Sequence, residues 1–281
     1  MILEKYNKPF INGKSLILNV FYSNYFKLKP FKSKASIYAE NQKYVIKTAE
    51  NNRELNEVLA LRYKIFSKEI LGKNNIFKID IDKFDRHCDH ILIIDKNINK
   101  VVGTYRINVY DKKFYSSKEF HIKDLLALKG RKAELGRACI LEDYRKGVVL
   151  GLLWKGIHSY IEKGEIQYLF GCSSIFTEDK KSIFSIFNFF KFNDYLHNHL
   201  LVKPKKHYKF KGLKLLLNNN NYNTPNSNPN MIPDLLKIYL KFGAKICSYP
   251  AYDREFKCFD FLTIIDYKSI NIEKKDILSR L

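Results

Sequence analysis

Glu134 and Arg137, three positions apart, are the residues of this sequence best suited to acid–base chemistry on an amine. An apolar, strand-like run follows them and ends in a polar turn that contains Arg145 and Gly147. Residues 148–163 then have the apolar spacing of an amphipathic helix. A strand, a basic turn and a helix N-terminus can together present backbone N–H groups to a phosphate. A site that deprotonates an amine and holds an anion needs a carboxylate and a guanidinium.

Four short motifs, in order along the chain, carry a resemblance to a known family. They are Glu-Leu-Gly-Arg at 134–137, Tyr-Arg at 144–145, Leu-Trp-Lys-Gly-Ile at 153–157 and Leu-Phe-Gly-Cys at 169–172. Over about residues 55–270 the chain resembles the bacterial ornithine N-acyltransferases, a hemolysin-like branch of the GNAT-type N-acyltransferases. The resemblance implies transfer of a 3-hydroxyacyl chain from acyl carrier protein to the α-amine of ornithine, which gives a lyso-ornithine lipid. The Glu–Arg spacing is also similar to that of the acyl-homoserine-lactone synthases, which share the fold.

This resemblance implies roles for the residues of the central strand. Glu134 would accept the proton of the amine, directly or through a water. A backbone N–H near Cys139 and Ile140 would polarise the thioester carbonyl. Arg137, together with Arg106 in a Gly-Thr-Tyr-Arg run, would hold the acceptor carboxylate or the donor phosphate, with the two roles undivided. The alternative is that Glu134 and Arg137 form a structural ion pair that supports the sheet.

An arginine and a phenylalanine four positions apart, Arg62 and Phe66, lie in a segment with helical apolar spacing, residues 54–70. In both related families such a pair on the first helix lines the active-site cleft. The resemblance therefore implies that Arg62 and Phe66 bind substrate. The alternative is a half-buried helix whose arginine pairs with a local acid.

An acid-rich connection, residues 77–90, stands out in so basic a chain. Clustered carboxylates attract a cationic amine, and ornithine carries two ammonium groups. We therefore predict that Asp85 and Asp89 bind substrate, against the alternative of a solvated loop. His90 and Asp95 spell the H-x4-D pattern of glycerolipid acyltransferases. The four residues between them are apolar and β-favouring, which predicts a buried strand instead of a catalytic dyad.

The turn between Arg145 and Gly151 bears on the acyl donor. It departs from the Gln/Arg-x-x-Gly-x-Gly/Ala loop with which general GNAT enzymes cradle coenzyme A. We therefore expect no bound cofactor, and an acyl donor on the 4′-phosphopantetheine of acyl carrier protein, with Arg145 and Gly147 among the substrate-binding residues. The five cysteines show no C-x-x-C spacing, so neither a metal site nor a disulfide framework is expected. Cys172 is interpreted as buried packing.

The net charge of +21 over 281 residues implies anionic partners. Nucleic acid is an unlikely partner, because the sequence contains no zinc-finger spacing, RNP-like segment or helix-turn-helix pair. An acidic carrier protein and an anionic membrane surface suit acyl transfer better. No apolar run reaches the ~18 residues needed to span a bilayer, and the start lacks the order of a signal peptide. These features predict a cytoplasmic protein that associates peripherally with the membrane.

Composition also divides the chain. Residues 1–39 form a basic, aromatic extension that either lies on a membrane surface or packs on the domain. Residues 40–281 are predicted to form one α/β domain of GNAT-like fold, with a mixed twisted central sheet and helices on both faces. It contains an Asn-rich loop at 218–230 and a lysine-rich stretch at 203–214, which we interpret as the docking site of the carrier protein.

Two other functions fit part of this pattern. The first is a lactone synthase that uses S-adenosylmethionine, although Gly136 stands where that family usually has serine. The second is a basic lipid- or nucleic-acid-binding module, which would bind without turnover. The product formed from an acylated carrier protein separates the three hypotheses.

Overall fold

The computed structural model describes residues 30–109, 113–212 and 231–270. Within these ranges the chain forms nine strands and five α-helices. In chain order they are β1 Tyr38–Glu40, β2 Tyr44–Thr48, α1 Asn52–Arg62, β3 Asp89–Asp95, β4 Lys100–Asn108, α2 Lys123–Ala127, β5 Lys132–Ile140, α3 Val149–Gly164, β6 Tyr168–Ile175, α4 Lys180–Phe192, α5 Asp234–Lys241, β7 Lys245–Ile246, β8 Ala251–Asp253 and β9 Cys258–Asp266. The Asn-rich loop and residues 1–29 of the predicted extension lie outside the described residues.

The strands form one mixed sheet in the order β1-β2-β3-β4-β5-β6-β9-β7, with β8 paired to β9. Strands β1 to β5 follow each other as antiparallel neighbours, and β6 pairs with β9 in the same way. The β5–β6 pair is parallel, because helix α3 carries the chain across the sheet between them. That one parallel pair lies at the centre of the sheet.

Alternation along the strands divides the core between the two faces of the sheet. Ile91 and Ile93 point into the larger core, where α3 packs, whereas Leu92 points to a smaller cluster under α1. A third cluster, which includes Phe170, covers the same face as Leu92 further along the sheet. Helices therefore cover both faces, as predicted, and the face with two small clusters has room for a polar site between them.

Helix α3 lies close to the sheet because of one glycine. A Cβ built on Gly156 would stand 2.9 Å from Ile91 Cγ2 and 3.0 Å from Ile46 Cγ2. Both neighbours are branched side chains of the larger core, so there is little space for them to give way. Gly156 belongs to the Leu-Trp-Lys-Gly-Ile motif, and its close approach to the strands explains the small residue there.

Three elements differ from the prediction. The helix expected over 54–70 is regular only to Arg62 and continues to Ile70 in wider π-type turns. The apolar spacing of residues 119–129 predicts a further helix, which the structure limits to Lys123–Ala127 because Phe120 bridges to Pro204. The composition of residues 244–249 also predicts a strand, and the structure limits that strand to Lys245–Ile246, paired with β9.

The start of the described chain packs on the domain. Phe31 is buried, and β1 begins at Tyr38, so residues 30–39 contribute to the sheet and its core. In the described ranges no helix combines the length and apolarity that crossing a membrane requires.

Candidate active site

The two central strands separate just beyond Glu134. Strand β5 pairs with β6 through three residue pairs, the last of which joins Glu134 to Phe170. A Cβ on the next β6 residue, Gly171, would lie 2.2 Å from the carbonyl oxygen of Leu135, so only glycine fits where the strands part. Beyond this point the strands diverge and leave backbone groups of β5 available to a ligand.

A pocket of about 320 Å³, open mouth included, occupies the gap between the diverging strands. It is lined by Tyr105, Leu135, Trp154, Leu169, Phe170, Gly171, Cys172, Ser173, Tyr239, Thr263 and Ile265. Most of this lining is apolar, which suits an acyl chain or the arm that carries it. The indole Nε1 of Trp154 is buried and has no hydrogen-bond partner among the described residues.

Glu134 is buried beside the start of this gap, with an exposed fraction of 5%. Its Oε1 accepts hydrogen bonds from the backbone N–H and the hydroxyl of Ser116, at 2.6 and 2.5 Å. Its Oε2 accepts one from the N–H of Tyr115, at 2.7 Å, and keeps a lone pair for a further proton. Burial raises the pKa of Glu134, against the opposing effect of these hydrogen bonds. The carboxylate is thus held in place and made more basic than one in water.

Three arginines and three aspartates form a compact ion-pair cluster on the same face of the sheet. Its members are Arg62, Arg106, Arg137, Asp80, Asp82 and Asp85. The charges balance in number, and the acidic connection supplies every carboxylate. The predicted attraction of this connection for a cation is therefore largely met by the chain's own arginines.

Arg62 is fully buried and pairs with aspartates of the acidic connection. Its Nε donates to Asp80 Oδ1 at 3.0 Å, and its Nη1 donates to Asp85 Oδ1 at 2.6 Å. These aspartates outweigh the effect of burial and raise its pKa further. Arg62 therefore connects the end of α1 to the acidic connection.

Arg106 is held in the same way. Its Nη1 lies 2.8 Å from both carboxylate oxygens of Asp82 and 2.8 Å from Asp85 Oδ1. Only 4% of the residue is exposed. In this arrangement the Nη1 of Arg106 binds the chain's own carboxylates.

Arg137 has few hydrogen bonds within the cluster. Its Nη2 contacts Asp82 at 3.4 Å, while its buried Nε has no hydrogen-bond partner among the described residues. The guanidinium lies over the rings of Tyr115, Phe66 and Phe256, at 5.3 to 5.6 Å from their centroids. Phe66 therefore lies against Arg137.

The backbone of Arg137 has an unusual conformation, with φ at +54°. It lies in an irregular stretch of the β4–β5 pairing, where the register shifts between Thr104 and Arg106. A non-glycine residue in this region costs roughly 1–2 kcal/mol, and such outliers concentrate at functional sites. The Arg137 side chain lies over the ring of Tyr115, whose backbone N–H donates to Glu134. Among the described ion pairs none joins Glu134 to Arg137.

The amide of Ile140 points into the gap between the strands. The N–H of Leu141 donates to the carbonyl of Val102 on β4. Because successive residues of a strand present their backbone groups to alternate sides, the N–H and the carbonyl of Ile140 face away from β4. The Ile140 carbonyl indeed accepts from Arg145 Nε at 3.1 Å on that side. Cys139 instead has its backbone paired to Thr104 and its side chain buried.

Two predicted residues lie apart from this centre. Asp89 accepts the amides of Lys34 and Ala35, each at 2.9 Å, and the hydroxyl of Tyr160 at 2.6 Å. It thereby connects Lys34 and Ala35 to α3. Gly147 is exposed in the turn after β5.

Arg145 lies at the same turn and forms a two-pronged pair with Glu69, at 2.7 and 2.6 Å. His90 and Asp95 lie in one strand, β3, as predicted. The His90 imidazole contacts the Asp85 carbonyl at 2.9 Å, and burial lowers its pKa to about 4. The ring is therefore neutral and belongs to the support of the ion-pair cluster.

Sequence reasoning missed the partners of Glu134. Ser116 and Tyr115 precede it by almost twenty residues in a short 3-10 turn, whose sequence has no recognisable motif. It also missed a group of three buried carboxylates, Glu119, Asp253 and Asp260, which come from distant parts of the chain. No local pattern brings such residues together, so only the fold reveals them.

Comparison with known proteins identifies the family of the chain. Residues 61–155 match the acetyltransferase (GNAT) domain family. The L-ornithine N(alpha)-acyltransferase of Agrobacterium fabrum is 30% identical over 246 residues, which cover 79% of this chain and 80% of that protein. The enzyme of the same name from Rhodobacter capsulatus is 26% identical, over 84% of this chain and 95% of that protein.

Among solved structures, FeeM, an N-acyl amino acid synthase from uncultured soil microbes, matches with a TM-score of 0.50. It is 8% identical and covers 82% of this chain and 95% of its own, which supports the fold. The predicted GNAT-like fold is confirmed. On its identity to the Agrobacterium enzyme over four-fifths of both chains, this protein is an N-acyltransferase and belongs to the family of L-ornithine N(alpha)-acyltransferases.

Proposed function

We propose that this chain transfers an acyl group from a thioester to the α-amine of ornithine, with Glu134 as the base. The names of the relatives supply the acceptor and the nitrogen that is acylated. The observation that carries the assignment to Glu134 is its position, buried and hydrogen-bonded where the central strands separate. A thioester that enters the gap reaches the amine next to this carboxylate.

The reaction needs one proton to move. The amine nitrogen attacks the thioester carbonyl carbon as Glu134 takes a proton from it, directly or through a water. The C–S bond then breaks, and the proton passes to the departing thiolate. Because burial raises the pKa of Glu134, the carboxylate is a stronger base than an exposed glutamate.

Two neighbouring groups match the charges of the reaction. The amide of Ile140 faces the gap and can donate to the oxyanion that forms on the thioester carbonyl. Arg137, with an unpartnered Nε beside three aromatic rings, is suited to the acceptor carboxylate. We assign the carboxylate to Arg137 because the Nη1 of Arg106 is held by Asp82 and Asp85.

The donor we propose is a 3-hydroxyacyl chain on the 4′-phosphopantetheine of acyl carrier protein. Carrier proteins of this kind are acidic, and the chain has a net charge of +21. Lys203, Lys206, Lys209 and Lys211 are exposed near the 3-10 turn that supplies Ser116 and form a suitable docking surface. The same charge supports peripheral contact with an anionic membrane, where a lyso-ornithine lipid would be released.

The test is a reaction of the purified protein with ornithine and a 3-hydroxyacyl carrier protein, with mass spectrometry of the product. We expect Nα-acyl-ornithine. The same acyl group on coenzyme A should react more slowly, because the turn after β5 departs from the coenzyme A loop. An acyl-lactone formed from S-adenosylmethionine would favour a lactone synthase. Binding of carrier protein or lipid without any product would favour a binding module.

A further inference from the structure

Three buried carboxylates lie together outside the chemistry described so far. Glu119, Asp253 and Asp260 each offer an oxygen, and these oxygens lie within 4.8 Å of one another. Glu119 is fully buried, and Asp253 and Asp260 are 6% and 3% exposed. In the described part of the chain no lysine or arginine forms an ion pair with any of them. Buried carboxylates that no ion pair neutralises are costly, so the group must either hold a proton or bind a cation.

The hydrogen bonds of the group leave one acceptor unused. Asp260 accepts from the hydroxyl of Ser174 at 2.5 Å, and Asp253 accepts from two backbone amides. Glu119 Oε1, although fully buried, has no hydrogen-bond partner among the described residues. Buried acceptors are normally satisfied, so an unfilled one beside two further carboxylates indicates a missing donor.

Protonation shows how the group is stabilised without that donor. Burial, together with the neighbouring Asp260, raises the pKa of Glu119 to about 10. Burial also raises the pKa of Asp260 to about 6. At neutral pH Glu119 therefore carries a proton in the place that a bound cation would take.

A short path of contacts connects the group to the base. The hydroxyl of Ser116, which donates to Glu134, lies 3.6 Å from Cys172 Sγ. The same sulfur lies 3.8 Å from Glu119 Oε2. Phe170 pairs with Glu134, and Cys172 lies two residues further along β6. The side chains of Cys172 and Glu134 therefore project from the same face of the sheet. Cys172 also lines the pocket between the strands.

We propose that Glu119, Asp253 and Asp260 bind the side-chain ammonium of the acceptor amino acid. The inference rests on the proposed function, since it requires an acceptor whose α-amine lies at Glu134. In ornithine four carbon atoms separate the two nitrogens, and the path from Glu134 to Glu119 runs through only Ser116 and Cys172. An ammonium has three donors and would supply the one that Glu119 Oε1 lacks. The group thus selects an acceptor with a second amine.

The test compares ornithine with L-norvaline, which has the same carbon chain without the terminal amine. The wild-type protein should prefer ornithine in kcat/KM by about 10²-fold or more, because norvaline leaves the buried carboxylates unpaired. Glu119→Gln mimics the protonated glutamate and should reduce this preference by about tenfold or more. Rates with norvaline should change little. Asp260→Asn should act in the same direction, and Asp124→Asn, an exposed aspartate on α2, is the matched control.

Other results of these experiments would overturn either the ammonium site or the proposed function. Equal rates with ornithine and norvaline would overturn the ammonium site while leaving N-acyl transfer in place, even if no variant folds. An unchanged preference in folded Glu119→Gln and Asp260→Asn would overturn it as well. If Mg²⁺, Ca²⁺ or Mn²⁺ raised the thermal midpoint of the wild type but not of Asp260→Asn, the group would be a metal site. Transfer to neither amino acid would refute the proposed function itself.

Discussion

The hydroxyl of Ser116 donates a hydrogen bond of 2.5 Å to Oε1 of Glu134. This bond favours the charged carboxylate and lowers its pKa, whereas burial raises it. Ser116 therefore tunes and orients the base without touching the reacting atoms.

Ser116→Ala should move the pH dependence of the reaction. Loss of the hydroxyl lets the pKa of Glu134 rise further, and only the deprotonated carboxylate accepts a proton. The acidic limb of kcat/KM should therefore move to higher pH, with a smaller effect on the alkaline plateau. Ser159→Ala, at an exposed position of α3, is the control. A uniform loss of rate at every pH would mean that Ser116 is merely structural.

Removal of Arg106 should destabilise the fold. Arg106→Gln leaves the buried Asp82 and Asp85 short of a cation, which we expect to lower the free energy of unfolding by about 3–5 kcal/mol. Arg145→Gln breaks an exposed pair with Glu69 and should cost less than about 1 kcal/mol. Denaturant unfolding measures both. Equal losses would contradict the account of the buried cluster, and a rise in the KM for ornithine alone would return Arg106 to substrate binding.

Gly171→Ala tests the separation of the central strands. Its Cβ would lie 2.2 Å from the Leu135 carbonyl oxygen, a backbone atom that cannot move aside cheaply. We expect a loss of about 1–3 kcal/mol in stability, together with reduced turnover. Gly136→Ala is the stability control, because nothing lies within 4 Å of the Cβ it would add. Full stability of Gly171→Ala would show that the strands can part without a glycine.

Reversal of surface charge tests the docking of the donor. Changing Lys203, Lys206 and Lys209 to glutamate should raise the KM for carrier protein and flatten its salt dependence, with the KM for ornithine nearly unchanged. Lys205 is left in place because its Nζ binds the Ser117 carbonyl.

The matched control reverses three exposed lysines elsewhere, Lys100, Lys129 and Lys268. If both triple variants affect carrier-protein kinetics equally, the effect comes from net charge. The lysine-rich stretch would then have no specific role in docking.

Some of this site could be predicted from the sequence because it lies within local motifs. Glu134 and Arg137 lie on one strand, and Arg62 and Phe66 lie on one helix. Their spacing and the resemblance are therefore enough to identify them as candidate site residues. The charge of the aspartates in residues 77–90 predicts that they lie near the site. Their pairing with Arg62 and Arg106 depends on the sheet register and could not be read from spacing.

The remainder depends on long-range contacts. Ser116 reaches Glu134 only because a turn with no motif folds back on β5, and Asp253 and Asp260 meet Glu119 from the far end of the chain. Asp89 shows the opposite case, since its position beside the acidic cluster in sequence suggested substrate binding. In the fold it lies toward α3, where it binds backbone amides.

The role of Glu134 as the base is tested most directly by Glu134→Gln. The amide has the same shape but cannot accept the amine proton, so we expect turnover of carrier-protein thioester and ornithine to fall by about 10²-fold or more. The thermal midpoint should remain close to that of the wild type. Wild-type turnover in a folded Glu134→Gln protein would contradict the assignment of Glu134 as the base.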